Sequence, residues 1–349
     1  MDASQRTRPV ALVAGASRGL GLIVARELAS RGFRVAGLSR DPDALAGARE
    51  RMREWGLDLD TYVADVRDPD RLAEVVDEIE RDAGRIEVAI HVAGVIQVGP
   101  EEDFDRAQYA DAVDTMLWGP INVTQAVLPA MRRRGRGRLG VVTSIGGMIS
   151  VPHLLPYSTA KFGAVGYTRG LSAELAGTGV TATTIVPGLM RTGSHVQAEF
   201  VGDAEAEYAW FAPGASLPLV AMDAERAARK MVEAVLAGRS LALISPLTKI
   251  AVRVNGVAPA TTGAVLGLMA RLLPASDGRD RPGTVLGHDA RETVVRHRRD
   301  AHHPRHQGLR PIQREQAAEP GLSDDETYGA DRCTPWVRAT RDPRRVSWA

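Results

Sequence analysis

The chain has 349 residues, a formal net charge of +1 and 44% hydrophobic residues, which suits one or two packed globular domains. The overall charge gives no sign of a nucleic-acid or anionic-membrane partner, and the single cysteine, Cys333, excludes an intrachain disulfide. Residues 1–9 are polar and lack the apolar core of a secretory signal, so a cytoplasmic location is expected.

Short apolar runs alternate with segments of helical periodicity from residue 10 onward. Continuous apolar strands separated by crossover helices are typical of a parallel sheet that is covered on both faces. Residues 1–250 are therefore predicted to form a Rossmann-like, doubly wound α/β domain with about seven strands between two helix layers. The predicted strands cover residues 10–14, 34–38, 61–64, 88–92, 139–143, 181–186 and 241–244, and the first two helices cover 20–30 and 42–55.

The sequence changes character twice after residue 250. Residues 251–274 are mostly small and apolar, but their uncharged stretch is short for the ~20 residues of a spanning helix. A packed or dimer-forming helix is therefore predicted, and membrane association is not expected. Residues 275–349 are rich in Arg and His and have little periodicity, which predicts a disordered tail. The cluster of His302, His303 and His306 leaves metal or nucleic-acid binding by this tail as an alternative, but neither partner is expected.

A glycine-rich turn joins the first predicted strand to the first predicted helix. Glycine lets the backbone turn tightly and approach a pyrophosphate, which the N-terminus of the following helix attracts. A tight turn needs glycine in any case, but the strand, the loop and the helix stand here in the order of a dinucleotide site. The candidate cofactor-binding residues of this loop are Gly15, Ser17, Arg18, Gly19, Leu20 and Gly21.

The end of the second predicted strand indicates which dinucleotide would bind. An acidic residue at this position holds both ribose hydroxyls of NAD. Here the position is Ser39, Arg40 follows it, and Arg18 stands in the glycine loop. Ser39 brings no carboxylate to repel a 2′-phosphate, and the two arginines can pair with one. NADP(H) is therefore predicted over NAD(H), unless both arginines are ordinary surface charges.

Three residues after the fifth predicted strand can carry out carbonyl chemistry. Tyr157 and Lys161 are four residues apart and share one helix face, and Ser144 lies just past the carboxyl end of the strand. A tyrosine hydroxyl can donate a proton to a carbonyl oxygen, although its ordinary pKa of ~10 is high for this task. The ammonium group of Lys161 is expected to lower that pKa, and Ser144 is expected to polarise the carbonyl.

The glycine loop followed by Ser144, Tyr157 and Lys161 resembles the short-chain dehydrogenase/reductase family over about residues 9–244. The resemblance implies an NADP-dependent oxidoreductase that interconverts a ketone or aldehyde and an alcohol by hydride transfer, with Tyr157 as acid/base. It also implies a homodimer or homotetramer. The family's further cofactor-binding positions correspond to Asp65 and Val66 at the adenine, Ala93 and Gly94, Tyr157 and Lys161, and Pro187, Gly188 and Thr192 at the nicotinamide.

Two positions depart from the family pattern. His91 and Val92 stand before Ala93 where the family has two asparagines, and Met116 replaces an active-site asparagine whose backbone carbonyl holds a relay water. Methionine keeps that carbonyl, and Pro120 lacks the N–H that would bond to it in a helix. Met116 is therefore a candidate catalytic residue through its carbonyl. The opposite interpretation is that Met116 marks a weakened activity.

The segment after Thr192 covers the active site in the family. Its aromatic and aliphatic side chains favour an apolar small-molecule substrate, although they are equally compatible with packing or dimer contacts. The rival to an enzyme is a non-catalytic NADPH-binding scaffold or redox sensor, which the departures from the family pattern favour. The side chains concerned are Phe200, Tyr208, Trp210, Phe211 and Leu217.

Overall fold

The computed structural model describes residues 8–191, 196–216, 221–276, 284–291 and 293. In this part of the chain, parallel pairing joins seven strands into a central sheet. The strands are β1 (Val10–Ala14), β2 (Arg34–Ser39), β3 (Asp60–Val63), β4 (Ile86–His91), β5 (Gly137–Val142), β6 (Val180–Val186) and β7 (Leu241–Leu243). Their spatial order is β7–β6–β5–β4–β1–β2–β3, which confirms the predicted doubly wound α/β fold.

Helices cover both faces of this sheet because its strands are apolar on both faces. The helices are α1 (Gly19–Ser30), α2 (Pro42–Glu54), α3 (Pro69–Asp82), α4 (Arg106–Val113), α5 (Gly119–Arg133), α6 (Leu155–Glu174), α7 (Ala204–Ser216), α8 (Ala224–Leu236), α9 (Pro246–Val257) and α10 (Pro259–Ala270). Residues of β1 alternate between two cores, one of which packs α1, α2 and α8 on one face, while the other packs α3, α5 and α6 on the opposite face.

The loops that follow β1, β4, β5 and β6 meet at the carboxyl edge of the sheet. The backbone N–H of Ala93, after β4, donates to the carbonyl of Ala14 at the end of β1 (3.0 Å). The N–H of Ile145, after β5, donates to the carbonyl of Pro187, after β6 (2.8 Å). These bonds bring the dinucleotide loop and the candidate catalytic loop to the edge where the winding of the sheet reverses, the usual ligand position in such folds.

A small second sheet involves residues of the segment predicted to be a disordered tail. Gln97–Val98 pairs with Glu199–Phe200, which pairs in turn with Val285–Leu286, and Ala290 is buried in the cluster around Phe200. The expectation of disorder therefore does not hold for these described residues. Pairing between segments so far apart in sequence is not visible in composition. The cluster of three histidines lies outside the described residues.

The apolar segment predicted over residues 251–274 consists of two helices. α9 begins earlier, at Pro246, because the Ser245 side chain accepts a hydrogen bond from the N–H of Thr248 and caps it. α10 has no buried residue, so packing is not seen among the described residues, and a dimer-forming helix stays a prediction. Among the described residues, no helix is long and apolar enough to span a membrane, and no group of three or more His, Cys, Asp or Glu side chains is arranged to hold a metal.

Candidate active site

The glycine loop is built around two contacts that only glycine permits. Gly15 has a φ of 91°, and a Cβ there would lie 2.6 Å from the backbone nitrogen of Ala93. A Cβ on Gly21 would overlap the carbonyl oxygen of Gly15. The N–H of Gly15 donates to the carbonyl of Leu38 (2.7 Å), which fixes the loop against the end of β2. The first turn of α1 is thereby brought close to the sheet edge.

The N-terminus of α1 differs from those of the neighbouring helices. The side chains of Asp41, Asp68 and Asp223 cap α2, α3 and α8, but α1 begins after Arg18 with no side-chain cap and no acidic residue in its first turn. Its first backbone N–H groups therefore have no side-chain acceptor at the cap. A pyrophosphate would supply one, and the helix dipole favours an anion there.

The end of β2 carries no carboxylate: Ser39 is its last residue, Arg40 follows, and Arg18 stands in the glycine loop that is bonded to Leu38. Arg18 and Arg40 are exposed, and Ser39 is partly buried. Asp41 is the nearest acid in sequence, but its carboxylate accepts hydrogen bonds from the N–H groups of Asp43 and Ala44 at the start of α2. This acid is therefore engaged as the cap of α2.

The residues expected at the adenine are held by neighbours that the sequence did not single out. Burial would raise the pKa of Asp65, but hydrogen bonds and charge from Arg67 hold it below its usual value. The two side chains approach to 2.6 Å. The carbonyl of Val66 accepts a hydrogen bond from the buried amide of Asn122 on α5 (3.0 Å). No sequence motif marks Asn122, because this contact joins residues that are far apart in the chain.

Ser144, Tyr157 and Lys161 converge at the carboxyl end of β5. The Ser144 hydroxyl is hydrogen-bonded to Tyr157 and accepts from the N–H of Gly146 (3.0 Å). Lys161 is 4% exposed, its ammonium donates to the carbonyl of Val142 (2.8 Å), and its Nζ lies 5.7 Å from the Tyr157 ring centroid. The predicted residues therefore share one pocket edge, as the helical spacing of the last two requires.

The pKa of Tyr157 departs from its ordinary value in the direction opposite to the expectation. Burial raises the pKa of Tyr157, and the hydrogen bond with Ser144 opposes this rise only in part. Burial also lowers the pKa of Lys161 to about 8. A net lowering of the Tyr157 pKa is therefore not found, and the Lys161 ammonium is directed at the Val142 carbonyl.

The backbone of Gly94 lies between Lys161 and Met116. A Cβ on Gly94 would lie 3.2 Å from the Met116 sulfur and 3.7 Å from the Lys161 nitrogen. Met116 is 1% exposed and belongs to a π-helical turn, Asp114–Trp118, between α4 and α5. In this turn the N–H of Gly119 donates to the carbonyl five residues earlier. Such π turns are frequent at functional sites.

His91 is a buried neutral residue beside this turn. It is 2% exposed, and neither ring nitrogen has a hydrogen-bond partner among the described residues. Burial, and then the charge of Lys161, lower the pKa of His91 to about 3. A Cβ on Gly119 would lie 2.9 Å from its Nε2. The imidazole thus packs against the backbone, which agrees with a structural histidine rather than an acid catalyst.

His153 lies in the loop between Ser144 and Tyr157 and is bonded to α7, a contact that no sequence motif indicated. Its Nδ1 lies 2.9 Å from the buried carboxylate of Glu207, which also accepts from the Trp210 indole N–H (2.6 Å). His153 adopts a φ of 62°, a strained value for a residue with a side chain. Phe200, Tyr208 and Phe211 pack beside this group. Thr192 and Leu217 lie outside the described residues.

Fold and site together define an oxidoreductase of the dinucleotide-binding α/β class. The family model of the short chain dehydrogenases matches residues 9–199, more than half of the chain. The chain belongs to this family, as the sequence motifs predicted.

Relatives and solved structures agree with this assignment. A Streptomyces coelicolor protein named "Putative ketoacyl reductase" is 37% identical over 185 residues, which are 52% of this chain and 71% of that protein. Gluconate 5-dehydrogenase of Gluconobacter oxydans is 34% identical over 182 residues, 52% of this chain and 71% of the relative. A crystal structure of an actinorhodin polyketide ketoreductase variant with NADPH has a TM-score of 0.59 at 30% identity, covering 68% of this chain and 95% of the other.

A second solved structure has a different substrate class. A gluconate 5-dehydrogenase from Burkholderia cenocepacia, in complex with NADP and tartrate, also has a TM-score of 0.59, at 25% identity, covering 71% of this chain and 99% of the other. The likeness to a polyketide ketoreductase and to a sugar-acid dehydrogenase means that the family likeness alone does not identify the substrate.

Proposed function

We propose that this protein is an NADPH-dependent reductase that interconverts a ketone or aldehyde and an alcohol on an apolar small molecule. The observation that carries the proposal is the hydrogen-bonded pair of Ser144 and Tyr157 beside Lys161, at the sheet edge that also holds the glycine loop. Relatives named for ketoacyl reduction support this reaction class.

The cofactor fits the residues at this edge. The first turn of α1 has no side-chain cap for its N–H groups, and the glycine contacts leave no Cβ in the way of a bound pyrophosphate. The phosphates would lie against the loop from Gly15 to Gly21, a 2′-phosphate against Arg18, Ser39 and Arg40, and the adenine against Asp65 and Val66. The nicotinamide end would lie among Ala93, Gly94, Tyr157, Lys161, Pro187 and Gly188. When bound, the cofactor supplies the hydride for the reduction.

The side chains of the site manage the proton and the charge on the substrate oxygen. Ser144 donates a hydrogen bond to that oxygen, which favours the alkoxide that develops on reduction. Tyr157 donates the proton, and its raised pKa favours the protonated, donating form before reaction. Lys161 carries the positive charge that stabilises the phenolate left behind, and it holds the nicotinamide ribose.

A proton relay through Met116 completes the proposal. The π turn around Met116 and the missing N–H of Pro120 leave the Met116 carbonyl without the usual partner four residues on. That carbonyl would hold a water leading to Lys161. Pro120→Ala restores the N–H and should lower kcat and shift its pH profile, and an unchanged kcat and profile would overturn the relay.

The apolar substrate class rests on the cluster beside α7. Phe200, Tyr208 and Phe211 are nearly buried, and Trp210 is held by the Glu207 carboxylate next to His153 in the catalytic loop. An apolar cluster next to this loop favours an aliphatic or aromatic ketone over a phosphorylated or carboxylated substrate.

We also propose a homodimer or homotetramer in the cytoplasm, formed through α5 and α6. Phe162 is 45% exposed, and Gly166 and Gly170 follow it at intervals of four on α6, with open space around both glycines. Trp118, just before α5, is 52% exposed. A large side chain beside small ones allows two helices to approach closely. Phe162→Glu should yield a smaller species in light scattering, and an unchanged mass would refute this interface.

The second candidate is an NADPH-binding scaffold or redox sensor without turnover, which the departures from the family pattern at His91 and Met116 favour. NADPH oxidation against a panel of apolar ketones, aldehydes and diketones separates the two, with Tyr157→Phe as the matched variant. Loss of the tyrosine acid should lower turnover by about 10²–10⁴-fold while NADPH still binds. Tight NADPH binding with no turnover on any member of the panel would support the scaffold.

A further inference from the structure

Helix α9 presents an apolar face that the active site does not use. Its inner side is fixed, since Thr248 is buried and the amide of Asn255 donates to the carbonyl of Met148 (3.1 Å). Its outer side repeats large apolar side chains at intervals of three and four residues, so they form one stripe along the helix. These side chains are Leu247, Ile250, Val254 and Val257, with exposures of 52%, 60%, 52% and 87%.

Helix α10 continues this apolar surface: Thr262, Leu266 and Ala270 are partly covered on one face, and its other residues are exposed. None of its 12 residues is charged and none is buried. A helix that is apolar all round is normally enclosed, either in a protein core or in lipid. The large exposed side chains of α10 and of the turn after it are Val265, Leu268, Met269 and Leu272.

The charges around this surface are positive. Residues 245–276 contain no Asp or Glu but include Lys249, Arg253 and Arg271. A cavity of about 450 Å³ at the base of α9 is lined by Lys230, Arg239, Lys249 and Arg253. The acid in its lining, Glu233, already lies 3.3 Å from the guanidinium of Arg31. Lys249, Arg253 and Arg271 have no ion pair among the described residues, and an apolar stripe beside such cations is the pattern of a surface that binds anionic lipid.

We propose that α9 and α10 bind the surface of an anionic bilayer, with their apolar side chains among the upper acyl chains and Lys249 and Arg253 at the lipid phosphates. A second copy of the chain is a poorer occupant, because a two-fold contact sets each patch against itself and would bring like charges together. At 1.5 Å per residue α10 is ~18 Å long, against ~30 Å for the hydrocarbon core. It therefore lies along the bilayer surface. This contact does not depend on the proposed reaction.

Vesicle flotation of the full chain tests this contact, because aggregated protein does not float. The probes are vesicles of phosphatidylcholine alone and of phosphatidylcholine with phosphatidylglycerol in equal parts. The wild-type chain should float with the mixed vesicles and much less with phosphatidylcholine. Val257→Glu with Leu272→Glu should abolish flotation. Lys249→Gln with Arg253→Gln should weaken binding about 30-fold, since each cation near an anionic surface contributes about fivefold.

A matched pair of substitutions controls for charge loss in general. Arg49→Gln with Arg53→Gln removes two exposed cations at the same spacing on α2 and should leave flotation unchanged. Circular dichroism and NADPH affinity should be the same in all variants, which separates loss of lipid binding from loss of fold. Equal flotation with both vesicle types would overturn the proposal. So would absence of flotation together with a dimer that Val257→Glu and Leu272→Glu dissociate, since a second copy would then be the occupant.

Discussion

Replacing Lys161 with methionine should change how the stability of the protein depends on pH. The ammonium is 4% exposed, and burial lowers its pKa from 10.5 to about 8 in the folded protein. Between these two values the unfolded chain keeps a proton that the native state has lost. The free energy of unfolding therefore rises with pH across this window, by about 1.4 kcal/mol per pH unit.

The comparison of wild type with Lys161→Met isolates this effect. From about pH 7 to about pH 10, the wild type should gain about 2–3 kcal/mol of unfolding free energy relative to the variant. The lost hydrogen bond to the Val142 carbonyl adds an offset of about 1 kcal/mol that is the same at both pH values. All other titrating groups are shared by the two proteins and cancel in the difference.

Urea unfolding without cofactor, followed by tryptophan fluorescence, measures this difference. Lys249→Met, at an exposed lysine on α9, controls for the removal of one positive charge. The same variant of Lys161 should lose reductase turnover at every pH. If the difference in unfolding free energy between wild type and Lys161→Met stayed constant over the pH range, the ammonium would not be desolvated as the structure indicates.

Three further outcomes are expected. Gly21→Ala should lower the melting temperature and raise the Kd for NADPH, because the new Cβ would overlap the carbonyl oxygen of Gly15. Gly47→Ala, in open space within α2, should instead stabilise the fold by about 0.5–1 kcal/mol, and equal effects of the two substitutions would contradict this reasoning. Ser39→Asp should raise the Kd for NADPH at least about tenfold, because the new carboxylate would repel the 2′-phosphate, and Ser39→Asn is the neutral control. An unchanged preference for NADPH over NADH in Ser39→Asp would refute the proposed phosphate site. Glu207→Ala should cost about 1–3 kcal/mol in urea unfolding, because two partly buried donors lose a buried acceptor. Glu225→Ala, at an exposed ion pair, should cost less than about 1 kcal/mol.

Local patterns in the sequence were sufficient for the central sheet. The strand predicted over residues 10–14 is β1, and the one predicted over 88–92 is β4 shifted by one or two residues. Buried parallel strands are apolar throughout and are bounded by turns, so short stretches of sequence specify them. The helical spacing of Tyr157 and Lys161 likewise required that both side chains lie on one face of α6.

Long-range contacts were beyond such patterns. The bond between His153 and Glu207, the amide of Asn122 on the Val66 carbonyl, and the pairing of Glu199–Phe200 with Val285–Leu286 each join segments more than fifty residues apart. Local sequence carries no signal for which distant segments meet, because that outcome depends on how the layers pack over the sheet.

The sequence by itself determined the order of strands, loops and helices, the family, and the residue types available for carbonyl chemistry. Only the tertiary structure decided the electrostatic state of those residues. Burial raises the pKa of Tyr157 and lowers that of Lys161, although their spacing alone suggested the reverse for the tyrosine. The tertiary structure also decided that no residue of α10 is buried. Solvation depends on which atoms surround a group, and a linear pattern does not contain that information.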